Sequence, residues 1–166
     1  MQAEQKIFKY PYSYALEMGR ALNGFELSYT TYGTLNEAKD NIVWVCHALT
    51  GGSNVVEWWD GLVGTGKYLD PEKHFIICAN ILGSAYGSTG PLSIDTQTGK
   101  PFYQNFPILT VKDVVGALDL LRQELSITKI KLCIGGSLGG QQALEWAIEV
   151  PSLFEELILI ASNAVH

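Results

Sequence analysis

Four short and almost unbroken apolar runs, Ile42 to Cys46, Phe75 to Ala79, Ile130 to Ile134 and Leu157 to Ala161, constrain the fold more than any other feature of the sequence. Successive side chains of a strand point to opposite sides, so a strand with one wet face alternates apolar and polar residues. Runs without alternation belong to strands covered on both faces, as in a parallel sheet with helices above and below it. Helical patterns lie where such a sheet needs connections. Val111 to Leu125 carries apolar residues at helical spacing behind Thr110, which is placed to cap it. Ala143, Leu144, Trp146, Ala147 and Val150 repeat at the same period from Gly140 until Pro151 stops them. Ahead of the runs, Phe25 to Tyr32 does alternate and is rich in β-formers, and the turn Gly33 to Asn36 follows it. It reads as an antiparallel entry strand paired with Ile7 to Tyr10. Together these give an α/β fold with a mostly parallel sheet and antiparallel N-terminal strands.

A chain of 166 residues with 47% hydrophobic content supports one core that buries about 70% of the unfolded surface. No internal repeat, low-complexity stretch or linker divides it. A net charge of −6 with no clustered Lys/Arg face argues against sequence-independent binding to nucleic acid, since nothing is placed to neutralise phosphates. No apolar stretch reaches the roughly 18 residues of a membrane span, and Met1 to Lys6 lacks the apolar core of a secretory signal, so a cytoplasmic location is expected. Cys46, Cys78 and Cys133 are widely spaced and each lies inside an apolar run, which reads as buried free thiols. The three histidines are scattered, and no metal site is expected.

The third run leads directly into Gly135-Gly136-Ser137-Leu138-Gly139 and then a helical pattern, the strand-turn-helix setting of a G-x-S-x-G nucleophile elbow. Small residues flank the serine because the turn is too sharp for side chains on either side. Ser137 is therefore the candidate nucleophile, and the backbone N–H of Leu138 at the following helix N-terminus is a candidate oxyanion donor. The first run ends in Cys46-His47-Ala48-Leu49-Thr50-Gly51-Gly52, where a second oxyanion donor is expected, at the Leu49 N–H. His47 suits orienting that loop better than acting as the catalytic base; His74, ahead of a strand, and His166, at the terminus, are no better placed to be the base. Thr50 to Lys73 and Leu82 to Thr110 are unusually long loops, and both leave the C-terminal ends of strands, where open α/β sheets bind ligands.

Other features weigh less. Gly61 to Lys67 matches the G-x-x-x-x-G-K frame of a phosphate loop, but Tyr68 stands where Ser or Thr is needed, and no strand precedes it. The glycine-rich Gly83 to Pro91 lets backbone pass close to a substrate or to neighbouring strand ends. Of the adjacent Trp58 and Trp59, at most one can face a core if the segment is extended, leaving the other for a pocket or partner surface, while simple packing of the long loop is the stronger reading for each.

Four motifs in register, His47 to Gly51, Trp58 to Gly64, Gly83 to Pro91 and Gly135 to Trp146, resemble homoserine O-acetyltransferase, from about residue 6 onward. The resemblance implies an α/β-hydrolase fold and a ping-pong transfer in methionine biosynthesis. Ser137 would take acetyl from acetyl-CoA, a co-substrate rather than a tightly bound cofactor, and pass it to the hydroxyl of L-homoserine, in an enzyme that is a homodimer at full length. Leu138 departs from a frequent methionine, and Gly52 and Asn54 from Asp or Ser and His. The resemblance also implies that the Asp and His of the triad, the substrate-binding arginine, the helical lid and two further strands lie beyond His166. Residues 1–166 are thus expected to be the N-terminal portion of one domain, inactive alone and with an unpaired apolar sheet edge. The residues leave open succinyl in place of acetyl, serine in place of homoserine, plain carboxylester hydrolysis, and a catalytically dead half-fold.

Overall fold

The computed structural model describes residues 3–163. Its main sheet has six strands among those residues, in the order β1-β2-β4-β3-β7-β8. β1 (Ala3–Ala15) and β2 (Ala21–Tyr32) form a long antiparallel hairpin, and β2 continues antiparallel onto β4 (Phe75–Ala79). β4, β3 (Ile42–Cys46), β7 (Ile130–Gly136) and β8 (Phe154–Ile160) are all parallel. A small hairpin of β5 (Ile94–Asp95) and β6 (Lys100–Pro101) lies within the second long loop. The entry strands extend well past the expected Ile7 to Tyr10 and Phe25 to Tyr32. Their pairing shifts register between Tyr10 and Ser13, at Pro11, whose missing N–H suits an outer strand.

α1 (Val111–Glu124) crosses from β4 over β3 to β7, and α2 (Leu138–Glu149) joins β7 to β8. The start of α1 is doubly secured. The Thr110 hydroxyl accepts from the Asp113 N–H at 3.2 Å while an Asp113 carboxylate oxygen accepts from the Thr110 N–H at 2.9 Å, a reciprocal capping box. The other Asp113 oxygen accepts from the Glu17 N–H at 2.8 Å and ties the end of β1 to the helix.

Both helices pack on one face, against the sequence expectation of helices on each side. Val114, Val115, Leu118 and Leu121 of α1 and Ala143 and Trp146 of α2 share a core with Trp44, Ile77 and Cys133. The opposite face, formed by Val43, Val45, Ile76, Leu132 and Ile134, is covered by Val55, Val63 and Leu69 of the first long loop. That loop connects β3 to β4 without a helical repeat, so it covers the sheet with a 3-10 turn (Val55–Glu57) and irregular backbone. On the helical face, the fully buried Trp44 and Trp146 rings meet edge to face at 5.0 Å. Burying two indoles of about 200 Å2 each contributes on the order of 10 kcal/mol before entropy is subtracted. The Trp146 indole N–H also donates to Asp119 at 2.9 Å, joining α2 to α1. Burial pushes the Asp119 carboxyl up, but hydrogen bonds from Arg122, Trp146 and Gln123 outweigh it and hold the group below its ordinary value.

The last strand begins earlier than the expected Leu157 to Ala161, at Phe154. It tolerates Glu155 and Glu156 because β7 is its one neighbour among the described residues. Leu157, Leu159 and Ile160 on it remain about two-fifths exposed. The three cysteines are buried and free, as expected from the runs that contain them, with Cys46 and Cys133 sulfurs 3.8 Å apart beneath the elbow. Among the described residues no helix is long and apolar enough to cross a membrane.

Candidate active site

Ser137 sits between the end of β7 and the start of α2 with φ 54° and ψ −123°. A non-glycine residue at positive φ outside the left-handed helical region is strained, and such strain gathers at functional sites. The flanking glycines explain how the chain tolerates it. A Cβ on Gly139 would run into the Cys46 carbonyl, and one on Gly135 into the Gly139 carbonyl. Gly136 is different, since the nearest atom to its would-be Cβ is the Ile160 oxygen at 3.8 Å. The spacing G-x-S-x-G is thus enforced by backbone meeting backbone at the two outer glycines alone.

The hydrogen bonds of Ser137 run through its backbone. Its N–H donates to the Ile160 carbonyl at 2.9 Å, and its carbonyl accepts from the Gly140 N–H at 2.9 Å and the Ser162 hydroxyl at 3.1 Å. The hydroxyl is left exposed and without a partner among the described residues. α2 begins at Leu138 rather than at Gly140, so its first N–H groups point toward the serine. Neither the Leu138 nor the Leu49 N–H is taken by a protein acceptor among the described residues.

His47 is buried, with both ring nitrogens engaged. Nδ1 lies 2.8 Å from the Ala48 carbonyl, and Nε2 accepts from the Ile81 N–H at 3.2 Å. An acceptor Nε2 requires the neutral tautomer with its proton on Nδ1, and burial correspondingly lowers the pKa of this imidazole. The ring therefore clamps the ends of β3 and β4 together and has no nitrogen to spare for Ser137. His74 precedes β4, at the end of the sheet opposite the elbow, and His166 lies outside the described residues.

An open cavity of 590 Å3 lies at the C-terminal ends of the parallel strands, bounded by Leu49, Leu138, Gln142, Tyr86, Phe106 and Val114 among others. Its lining is largely apolar. The second long loop forms one wall and is itself held in place by a buried polar network. β4 ends at Ala79, and beyond it Ser88 and Thr89 take over as the neighbours of β2, through Ser28 N–H to Ser88 Oγ at 3.0 Å and Thr89 N–H to the Glu26 carbonyl at 2.9 Å. Asn80 then joins the two long loops. Its Oδ1 accepts from the Ser53 N–H at 2.7 Å, and its Nδ2 donates to the Tyr86 carbonyl at 2.7 Å. The glycine-rich segment thus packs its backbone against a neighbouring strand, one of the two roles expected of it.

Trp58 and Trp59 both pack against the core, as loop packing leads one to expect, although not in an extended segment. The segment is a helical turn, not extended, with the Trp59 N–H donating to the Val55 carbonyl at 2.9 Å, so both rings pack half-buried on the same cluster. The Trp58 indole N–H also donates to the Gly52 carbonyl at 3.0 Å. The phosphate-loop frame lies on an irregular loop closed by a Val63–Leu69 bridge, with Lys67 turned back onto the Asp60 carbonyl. Asn54 receives the Tyr32 hydroxyl at 2.7 Å, so this departure from the family pattern has a structural role here.

Two residues escaped the sequence reading. Asn80 and Gln142 are each 1% exposed, and the signal for both is a polar residue in an apolar setting. Asn80 follows the apolar run of β4, and Gln142 shares the buried face of α2 with Gly139, Ala143 and Trp146.

A mostly parallel sheet with a strained serine between strand and helix is the architecture of an α/β hydrolase. The chain belongs to the α/β-hydrolase fold family, whose model matches residues 41–166. Within it, the chain is similar to homoserine O-acetyltransferase of Cyclobacterium marinum, 51% identical over 164 residues that cover 99% of this chain and 47% of the relative. The enzyme of the same name from Trichormus variabilis is 46% identical, over 98% of this chain and 45% of that one. Among solved structures, homoserine O-acetyltransferase from Bacillus anthracis superposes with a TM-score of 0.91 at 31% identity, over 98% of this chain and 48% of that one. Esterase E22 gives 0.88 at 31% identity, over 97% and 48%. The chain spans about half the length of the curated relatives it matches.

Proposed function

We propose that this chain supplies the nucleophile and oxyanion hole of a cytoplasmic homoserine O-acetyltransferase, with the proton-relay His and Asp contributed by sequence outside residues 1–166. The observation that carries the reading is 51% identity to an enzyme of that name across nearly the whole chain, motif loops included. In the first half-reaction a base takes the Ser137 hydroxyl proton as Oγ attacks the thioester carbonyl of acetyl-CoA. The carbonyl oxygen becomes an oxyanion held by the Leu138 and Leu49 N–H groups. The intermediate collapses by breaking the C–S bond, CoA leaves as the thiol with that proton, and the acetyl group stays on Ser137 as an ester. In the second half-reaction the homoserine hydroxyl loses its proton to the same base and attacks the acyl-serine. O-acetylhomoserine departs, and Ser137 is regenerated. Acetyl-CoA enters as a substrate, and the chemistry calls for no resident cofactor.

The likeness to esterase E22 favours a second reading, in which water replaces homoserine as the acyl acceptor. Acceptor dependence separates the two in the complete protein that carries this sequence. Transfer predicts steady-state CoA release that requires L-homoserine and yields O-acetylhomoserine in equal amount. CoA release at the same rate without homoserine assigns the site to hydrolysis.

A further inference from the structure

We infer that Gln142 is a positioning residue that sets the spacing of the two oxyanion donors, an inference that rests on the proposed roles of Ser137, Leu138 and Leu49. Gln142 lies on α2, the helix whose first residue, Leu138, provides one donor, and it is fully buried. Its Nε2 donates across the site to the His47 carbonyl at 3.1 Å. His47 stands two residues before Leu49, which provides the other donor, and its own ring is fixed by Ala48 and by the Ile81 N–H. Gly139, from the same helix, touches the Cys46 carbonyl one residue earlier. The helix end and the loop end are therefore joined at two points: backbone contact at Gly139 and a single hydrogen bond at Gln142. Without that bond, no other hydrogen bond from α2 reaches the His47 carbonyl among the described residues, and the turn carrying Leu49 loses one of its two ties to the helix that carries Leu138.

The other end of the amide supports a role beyond packing. With Nε2 committed to a carbonyl, Oε1 faces the opposite way, buried and without a partner among the described residues. An unsatisfied buried acceptor costs stability. An apolar side chain of the same length would avoid that cost, so a glutamine chosen for stability alone has little rationale here.

The test replaces Gln142→Met, which keeps length and volume, removes the donor and removes the unpaired oxygen. Two readouts in the complete protein carry it: kcat against KM for acetyl transfer, and the rate at which a fluorophosphonate labels Ser137, a reaction whose P=O oxygen enters the same hole. The expected result is a fall in kcat and in labelling rate of about 10- to 100-fold, with KM within about twofold and thermal stability equal or higher. Gln142→Leu, which also removes the donor and leaves an apolar side chain, should lose as much and serves if the Met variant misfolds. Rates within about twofold of the unaltered protein in the folded variant overturn the inference. Absence of homoserine-dependent transfer alongside slowed labelling would count against the acetyltransferase reading alone, because labelling reports the hole whatever the acceptor.

Discussion

Ser137 holds a backbone conformation that few side chains adopt, and the two residues that permit it are Gly135 and Gly139, not the adjacent Gly136. This division makes a sharp prediction. Gly139→Ala must push α2 away from the Cys46 carbonyl and should destabilise the chain by about 1–3 kcal/mol in urea unfolding. Gly136→Ala, which meets nothing closer than 3.8 Å at a φ that is not positive, should be neutral or slightly stabilising, by up to about 1 kcal/mol. Equal losses at both positions would contradict the geometry of the elbow. His47 illustrates the same reasoning in the negative. Its place after the first apolar run invites a catalytic role, yet two hydrogen bonds occupy both nitrogens, and burial favours the neutral ring. In the sequence Ser137 is legible because the residues two before and two after it, Gly135 and Gly139, must be glycine. Gln142 is not, because its value depends on a carbonyl 95 positions away.

The elements that were readable are those whose own residues state their surroundings. β3, β4 and β7 follow from unbroken apolar runs, and α1 from its period and from Thr110, within a residue of the observed end. What escaped depends on partners elsewhere in the chain: which face each helix covers, the turn that lets Trp58 and Trp59 pack together, and the short β5–β6 hairpin. Asp113 shows how such partners combine, since one oxygen closes the capping box while the other holds β1 through Glu17. Thr110→Ala removes only part of the cap and should cost about 1 kcal/mol. Asp113→Ala loses both attachments and should cost about 2–3 kcal/mol in the same unfolding measurement. Losses of equal size would mean that the Glu17 contact contributes nothing.

At the scale of the molecule, the sheet serves to bring the ends of three parallel strands to one place. β3 leads to Leu49, β4 to the loop pinned by Asn80, and β7 to Ser137 and Leu138, and Leu49, Leu138 and Tyr86 of that loop line one apolar cavity. The helical core under Trp44 and Trp146 keeps α2 pressed onto β3, so Ser137 and the loop carrying Leu49 share one base. A covalent acetyl group on Ser137 is the central chemical step of the proposed reaction. Mixing the complete protein with acetyl-CoA, quenching in acid and mapping the peptides by mass spectrometry should find one acetyl group on Ser137, and a chase with L-homoserine should remove it as O-acetylhomoserine. Turnover of both substrates with no acetyl on Ser137, or an acetyl-serine that homoserine leaves in place, would contradict it.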